Sequence, residues 1–296
     1  MKLKTILLAA LLFFALALPA ENSYALQQGW QLELKRLSLN LTSTEVQNAQ
    51  VYKENGVSNA RLTSDSQTLI QGTFDFAADL FTKKSFWSNT VFAEYGKTYI
   101  RAPEKEEVIN ENADKILITT DYTYRLWNIQ NFLGGFEAGP FINAGYETEF
   151  NAQDNSPVKR IIRGMTGAKL FEGKYLKSLY LAAVGEADYT YSPESTKFAM
   201  ETGIKAEQPL REGLTILYSG HYRNYISESE NRISDLKYEL ELDVRLDVML
   251  YKNLSLAPFI NYYAAEAKHF SAMGENLYTG ISLSYSTFFK KAKDAE

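Results

Sequence analysis

The sequence has 296 residues, a formal net charge of −5 and no cysteine, which excludes disulfides, thiol nucleophiles and cysteine-ligated metals. A mildly acidic chain has no electrostatic basis for binding nucleic acid. Its two histidines are too few for a multi-histidine metal site. We therefore expect no cofactor, no metal site and no nucleic-acid partner.

The first predicted element is a secretory signal peptide over residues 1–25. Two lysines precede an apolar run, Ile6–Leu18, and small residues follow it at two places. This pattern predicts cleavage after Ala20 or after Ala25. The run is short for a membrane-spanning helix, which needs about 20 residues. We expect an exported protein whose residues 26–289 form one folded domain.

Twelve stretches in which apolar and polar residues alternate follow the signal peptide. In the clearest, Leu236–Leu250, an apolar residue occupies every second position and charged residues fill most of the others. Period two places the two sets on opposite faces of an extended strand. A phase slip at Lys35 and Arg36 predicts a β-bulge in the first stretch. The predicted strands are Trp30–Leu41, Thr68–Leu80, Trp87–Ile100, Lys115–Trp127, Gly135–Phe150, Arg160–Phe171, Ser178–Tyr191, Lys197–Glu207, Leu214–Ile226, Leu236–Leu250, Leu254–Lys268 and Leu277–Phe289.

The connections between these strands alternate in length. Short ones follow the even-numbered strands, and longer polar ones, such as 42–67 and 151–159, follow most of the odd-numbered strands. Short turns at one end and long loops at the other are typical of membrane barrels with an even number of strands. The predicted fold is all-β: a single antiparallel, up-and-down transmembrane β-barrel of about twelve strands.

The whole mature chain resembles the bacterial outer-membrane β-barrel class. Its last strand, Thr279–Phe289, resembles the C-terminal signal by which the barrel-assembly machinery recognises such proteins, and a charged tail, 290–296, follows it. The resemblance implies a location in the outer membrane of a Gram-negative bacterium. It also implies outer-membrane lipid, lipopolysaccharide, the barrel-assembly machinery and small solutes or ions as partners.

A soluble, exported β-sandwich or lipocalin-like barrel is the alternative fold. Its apolar faces would point inward and its charged faces outward. The alternation is the same in both cases, so the two folds are distinguished by strand number and length and by the abundance of Tyr. These features favour the membrane barrel.

The polar faces of the predicted strands would line the lumen, where acidic residues outnumber basic ones. An open lumen of this kind favours cations, so the predicted function is a narrow porin or small-solute channel. The alternative is a plugged barrel with a structural or adhesive role at the cell surface. The predicted lumen-lining residues are Glu94, Asp121, Arg125, Glu137, Glu147, Arg163, Lys169, Glu186, Asp188, Glu201, Lys205, Ser219, His221, Arg223, Glu239, Glu241, Asp243, Arg245 and Asp247.

Ser219 and His221 raise a further alternative, a lipid-modifying hydrolase. The predicted hairpin places His221 opposite Glu239 and Ser219 opposite Glu241, which would bring a nucleophile, a base and an orienting acid to one face. Outer-membrane phospholipases also carry Ser and His two positions apart on a strand. Their order is the reverse, however, and their pair faces lipid. We therefore expect that the protein is not an enzyme.

Overall fold

The computed structural model describes residues 27–57, 59–63, 67–100, 108–130, 132–152 and 157–294. The predicted signal peptide, with its cleavage points after Ala20 or Ala25, lies outside these residues. The last two residues of the charged tail lie outside them as well. The twelve-stranded barrel and its lumen fall within the described part of the chain.

Twelve long antiparallel strands form a single sheet in chain order, and the last strand pairs with the first. The sheet is therefore a closed barrel, as the alternation predicts, and closure removes the exposed edge strands. The strands are β1 (Gln27–Gln47), β2 (Gln67–Phe81), β3 (Ser85–Ile100), β4 (Val108–Tyr124), β5 (Phe136–Thr148), β6 (Arg160–Phe171), β7 (Leu176–Asp188), β8 (Ser195–Arg211), β9 (Leu214–Glu228), β10 (Leu236–Tyr251), β11 (Leu254–Ala267) and β12 (Met273–Lys290).

Several short elements accompany the barrel. Two helices, α1 (Ala49–Glu54) and α2 (Ala60–Thr63), lie between β1 and β2. A short strand, Trp127–Ile129, pairs with β5, and another, Lys293–Asp294, pairs with the start of β1. In the part of the chain that the structure describes, no helix has the length and apolar character needed to cross a membrane.

The first and fourth strands differ from their predicted limits. β1 is longer than Trp30–Leu41, and its register with β2 and β12 shifts around Lys35 and Arg36, which confirms the predicted bulge. The fourth prediction, which continued to Trp127, is wrong at its end. The chain leaves β4 after Tyr124 because Trp127 pairs with Ala138 on β5 instead.

The apolar residues of the strands lie on the outside of the barrel. Leu39, Leu41, Ile142, Leu181 and Ile260 are each more than half exposed. A soluble barrel would bury these side chains, and water would be a poor solvent for such a surface. The barrel therefore presents its apolar face to lipid, which decides between the two predicted folds.

Aromatic residues mark the two edges of this apolar surface. Trp30 and Trp87 lie 6.3 Å apart near the short turns, and Tyr222 and Tyr238 lie 5.9 Å apart near the long loops. On β10, Tyr238 and Tyr251 are separated by about 43 Å at ~3.3 Å per residue. A strand tilt of about 40° reduces this to about 33 Å across the membrane. That height matches a hydrocarbon core of about 30 Å.

Candidate functional site

A large polar cavity runs along the inside of the barrel. Its volume is about 1330 Å³, and its lining extends from Lys252, at the end with the short turns, to Thr190, at the end with the long loops. We call this space the lumen cavity and its two ends the turn end and the loop end. Among the described residues, seventeen acidic and thirteen basic side chains line it. Its formal net charge is therefore −4 with His221 neutral.

Most of the predicted lumen residues line this cavity. The inward side chains alternate with the lipid-facing ones on each strand because successive residues of a strand point to opposite faces. Seventeen of the nineteen predicted residues contribute to the lining: Glu94, Asp121, Glu147, Arg163, Lys169, Glu186, Asp188, Glu201, Lys205, Ser219, His221, Arg223, Glu239, Glu241, Asp243, Arg245 and Asp247.

Arg125 and Glu137 do not line the lumen cavity, in contrast to the prediction. They form an ion pair at the turn end, and their side chains are 5% and 3% exposed. The Arg125 guanidinium lies 5.7 Å from the centre of the Phe171 ring, which stacks on Phe86. Phe81 packs against Phe86 in turn. This aromatic floor covers the pair, because a buried charge needs both a partner and close packing.

A network of ion pairs covers the lumen wall from β4 to β10. Arg163 connects Glu147, at 3.2 Å, with Glu186, at 2.8 Å. Arg223 pairs in the same way with Glu201 and Glu239 on the neighbouring strands. Lys169 Nζ lies 2.6 Å from Asp121, and Lys197 lies between Glu186 and Asp235. Most charges on this wall therefore have a partner of opposite sign.

A second group of lumen charges lacks such partners. In the described part of the chain, no oppositely charged atom lies within 4.0 Å of Lys35, Arg36, Asp75, Lys205 or Asp243. These residues lie on β1, β2, β8 and β10, nearer the turn end than Arg61 does. Unpaired charges in a wet lumen remain available to passing ions and solutes.

The described residues between β1 and β2, 48–57 and 59–63, fold into the barrel. We call them the inner segment. The chain reverses at Asn48 in the left-handed conformation, which Asn tolerates better than most residues. Asn48 donates a hydrogen bond to the Met273 carbonyl at 2.7 Å. The sequence predicted a long polar connection over 42–67. In the structure, β1 continues to Gln47, and the residues after it pack against the inner face of the barrel.

Apolar side chains anchor the inner segment to β11 and β12. Tyr52 and Leu62 have no exposed surface, and they pack with Val57 and Tyr263. The Tyr52 hydroxyl accepts a hydrogen bond from the Gly274 N–H at 2.9 Å. A Cβ on Gly274 would lie 2.7 Å from Leu62 Cδ2 and 2.8 Å from Tyr52 Cε2. Glycine at this position therefore permits the close approach of the inner segment to the wall.

Arg61 extends from the inner segment across the lumen cavity. Its guanidinium pairs with Glu94 on β3, at 3.0 Å, and with Glu241 on β10. These strands are five positions apart around the barrel, so the pairs bridge opposing walls. Burial alone lowers the pKa of Arg61, but the two carboxylates raise that pKa well above its ordinary value. Arg61 is therefore a permanent cation that connects two sides of the lumen.

The register around Ser219 and His221 differs from the prediction. His221 lies opposite Glu241, and Ser219 lies opposite Asp243, a shift of two residues. On the other side of β10, Asp243 lies opposite Asn261 and Glu241 lies opposite Tyr263 on β11. His221 Nδ1 lies 3.9 Å from Glu241 Oε2. Within the described residues, no hydrogen bond joins Ser219 to His221, so they are not arranged as a nucleophile and its base.

Sequence reasoning missed Arg36 and Arg61 as lumen residues. The phase slip at Lys35 and Arg36 was a usable signal, because a bulge turns neighbouring side chains to the same side. The inner segment offered a weaker signal, the evenly spaced apolar residues Tyr52, Val57 and Leu62 in a polar stretch. No group of His, Cys, Asp and Glu suited to a metal ion occurs among the described residues.

Comparisons with known proteins give low identities. No protein-family model matches the sequence, and no curated protein matches it. The solved structure of outer membrane phospholipase A from Escherichia coli is 10% identical over 91% of this chain and 96% of that chain, with a TM-score of 0.45. An outer membrane channel from Pseudomonas putida is 9% identical over 91% and 100% of the two chains, also with a TM-score of 0.45.

A third solved structure is the translocator domain of the autotransporter NalP from Neisseria meningitidis. It is 10% identical over 95% of each chain, with a TM-score of 0.36. The fold of the present chain is established by its own closed strand register. An even number of antiparallel strands, an apolar exterior and a polar interior are together the architecture of outer-membrane β-barrels.

Proposed function

We propose that the protein is an outer-membrane channel for small solutes with a weak preference for cations. The observation that carries the proposal is the lumen cavity of about 1330 Å³, whose lining reaches both ends of the barrel. The formal net charge of −4 of its lining attracts cations and repels anions, and the low dielectric constant of the surrounding protein and lipid strengthens this effect. The inner segment narrows the passage, so the solutes are small.

The ion-pair network supports a weak rather than a strong preference. Charges such as Arg163 and Arg223 each neutralise carboxylates on both sides. Paired charges produce little field at a distance, particularly in salt, where the Debye length is about 8–10 Å. The excess of four carboxylates therefore determines the sign of the selectivity.

Single-channel recording in planar bilayers tests conduction. We expect stepwise currents of small, uniform size in KCl from protein refolded into detergent and checked by its heat-modifiable gel mobility. The Leu62→Ala variant, which weakens the anchor of the inner segment, is expected to give larger or flickering steps. A complete lack of steps in both proteins would favour the plugged, structural barrel over a channel.

The location and assembly partners are part of the same proposal. The membrane would be the outer membrane of a Gram-negative bacterium, with the long loops facing lipopolysaccharide and the turns facing the periplasm. The barrel-assembly machinery would recognise β12, whose outward residues include Ile281, Leu283 and Tyr285. Cell fractionation after depletion of that machinery tests this part, and unchanged outer-membrane levels would contradict it.

A lipid-hydrolysing role for Ser219 and His221 is the less favoured alternative. The pair lines the lumen cavity, where a lipid acyl chain has no direct access. The Ser219→Ala variant tests this alternative. Equal phospholipid profiles with both proteins support the channel, whereas loss of a lysophospholipid product in the variant would establish the enzyme.

A further inference from the structure

A smaller chamber opens from the lumen cavity on the turn-end side of Arg61. Its volume is about 240 Å³, far above the ~10–15 Å³ that a single water molecule occupies. β1, β2 and β3 form one wall, and β8 to β12 form the other. Arg61, Glu94 and Glu241 also line it, so it lies directly beside the bridging ion pairs. We call it the side chamber.

Each wall of the side chamber carries one cation and one carboxylate without an ionic partner. Arg36 and Asp75 face each other across the β1–β2 pair. On the other wall, Lys205 and Asp243 both pair in register with Ser219, so they flank it at one level. The two walls together thus carry two cations and two carboxylates whose charges sum to zero and which, among the described residues, make no ion pair within 4.0 Å.

Three buried polar atoms that line the side chamber also have no hydrogen-bond partner among the described residues. Asn40 is only 6% exposed. Among the described residues, no donor reaches Asn40 Oδ1 or Asn261 Oδ1, and no acceptor reaches Arg36 Nε. Unsatisfied buried polar atoms cost free energy that a ligand can recover. Phe92 and Phe259 add apolar surface, which suits a ligand with a hydrocarbon part.

We propose that the side chamber binds zwitterionic solutes of the α-amino acid class as they pass through the channel. A ligand carboxylate pairs with Arg36 or Lys205, and a ligand ammonium group pairs with Asp75 or Asp243 and the free amide oxygens. A singly charged solute satisfies only half of these groups and leaves the others unpaired. The inference names the solute class of the proposed channel and therefore rests on that function.

Three probes of nearly equal shape separate the charge requirements. Free leucine carries both groups, 4-methylpentanoate lacks the ammonium group, and 3-methylbutylamine lacks the carboxylate. We expect leucine to reduce the single-channel KCl current at concentrations at which neither analogue does. Saturation-transfer NMR on the detergent-solubilised protein measures binding of the same probes independently of conduction.

Charge-matched variants locate the binding site. Asp243→Asn and Arg36→Gln each remove a side-chamber charge, and we expect the half-blocking concentration of leucine to rise about tenfold or more. Asp79→Asn and Lys252→Gln remove charges that line only the lumen cavity, and they should retain the wild-type leucine response. Heat-modifiable mobility confirms that each variant is folded.

The outcomes distinguish this inference from the channel proposal. KCl conduction with equal or no effects of the three probes would overturn the zwitterion site and leave the channel standing. Leucine binding by NMR without conduction would support the site and overturn the channel. A stronger effect of either singly charged analogue would also contradict the inference, because the site would then recognise one charge alone.

Discussion

Replacing Arg61 by Gln tests how the inner segment controls the lumen. Each Arg61–carboxylate attraction is worth about 5 kcal/mol at 3 Å and an effective dielectric of ~20. Desolvation offsets much of this, so losing the cation costs about 3–5 kcal/mol. Burial of Tyr52, Val57 and Leu62 supplies about 1.5–3 kcal/mol for each side chain. The apolar anchors together outweigh the lost ion pairs, so the inner segment should stay docked.

The expected result of Arg61→Gln is therefore a change of charge in an otherwise intact barrel. Glu94 and Glu241 lose their partner, and the lumen charge changes from −4 to −5. We expect a higher single-channel conductance and a stronger cation preference in bilayers, with unchanged heat-modifiable mobility. Lys35→Gln gives the same net charge without exposing these carboxylates and should have a smaller effect. Equal effects of the two substitutions would refute the bridging role of Arg61.

Three further predictions concern anchoring, pH and packing. Leu62→Ala should weaken the docking of the inner segment by about 2–5 kcal/mol and make this segment sensitive to protease while the barrel stays intact. Protease resistance equal to that of the wild type would contradict this prediction. Burial raises the pKa of Glu149 to about 7, so its contribution to stability is greatest below pH 4.5 and is lost as the pH rises through about 7. Glu149→Gln should therefore reduce the fall in the heat-modification temperature between about pH 5 and 8, and an unaltered fall would argue against this pKa. Gly167→Ala should lower the heat-modification temperature because its Cβ would lie 2.0 Å from the Leu181 carbonyl oxygen. The Cβ of the control variant Gly185→Ala meets no atom within 4 Å, so this variant should be neutral. Equal effects of the two substitutions would contradict the packing argument.

The barrel was predictable because strand alternation is a local property. Stretches such as Leu236–Leu250 carry their own period of two, and a membrane barrel repeats this pattern around its circumference. The inward set follows directly, so seventeen of the nineteen predicted residues line the lumen cavity. The exceptions, Arg125 and Glu137, have the expected orientation, but the aromatic floor covers them. Packing of Phe81, Phe86 and Phe171 depends on three different strands and left no local signal.

The inner segment and the β9–β10 register depend on tertiary structure. The inner segment is polar overall, and its docking requires Gly274, more than 200 residues further along the chain. Arg61 can be assigned to the lumen only when this docking is known. The partner of His221 differs by two residues from the prediction because the hairpin of β9 and β10 is centred one residue further along the chain. Alternation defines the face of a residue but not its partner.

The reversal potential of single channels in a KCl gradient tests the cation-preferring lumen most directly. A lining with a formal net charge of −4 predicts a reversal potential displaced toward the potassium equilibrium potential, and a larger displacement for Arg61→Gln. The displacement should shrink as the salt concentration rises, because screening shortens the reach of the carboxylates. A reversal potential displaced toward the chloride equilibrium potential would contradict the proposed lumen.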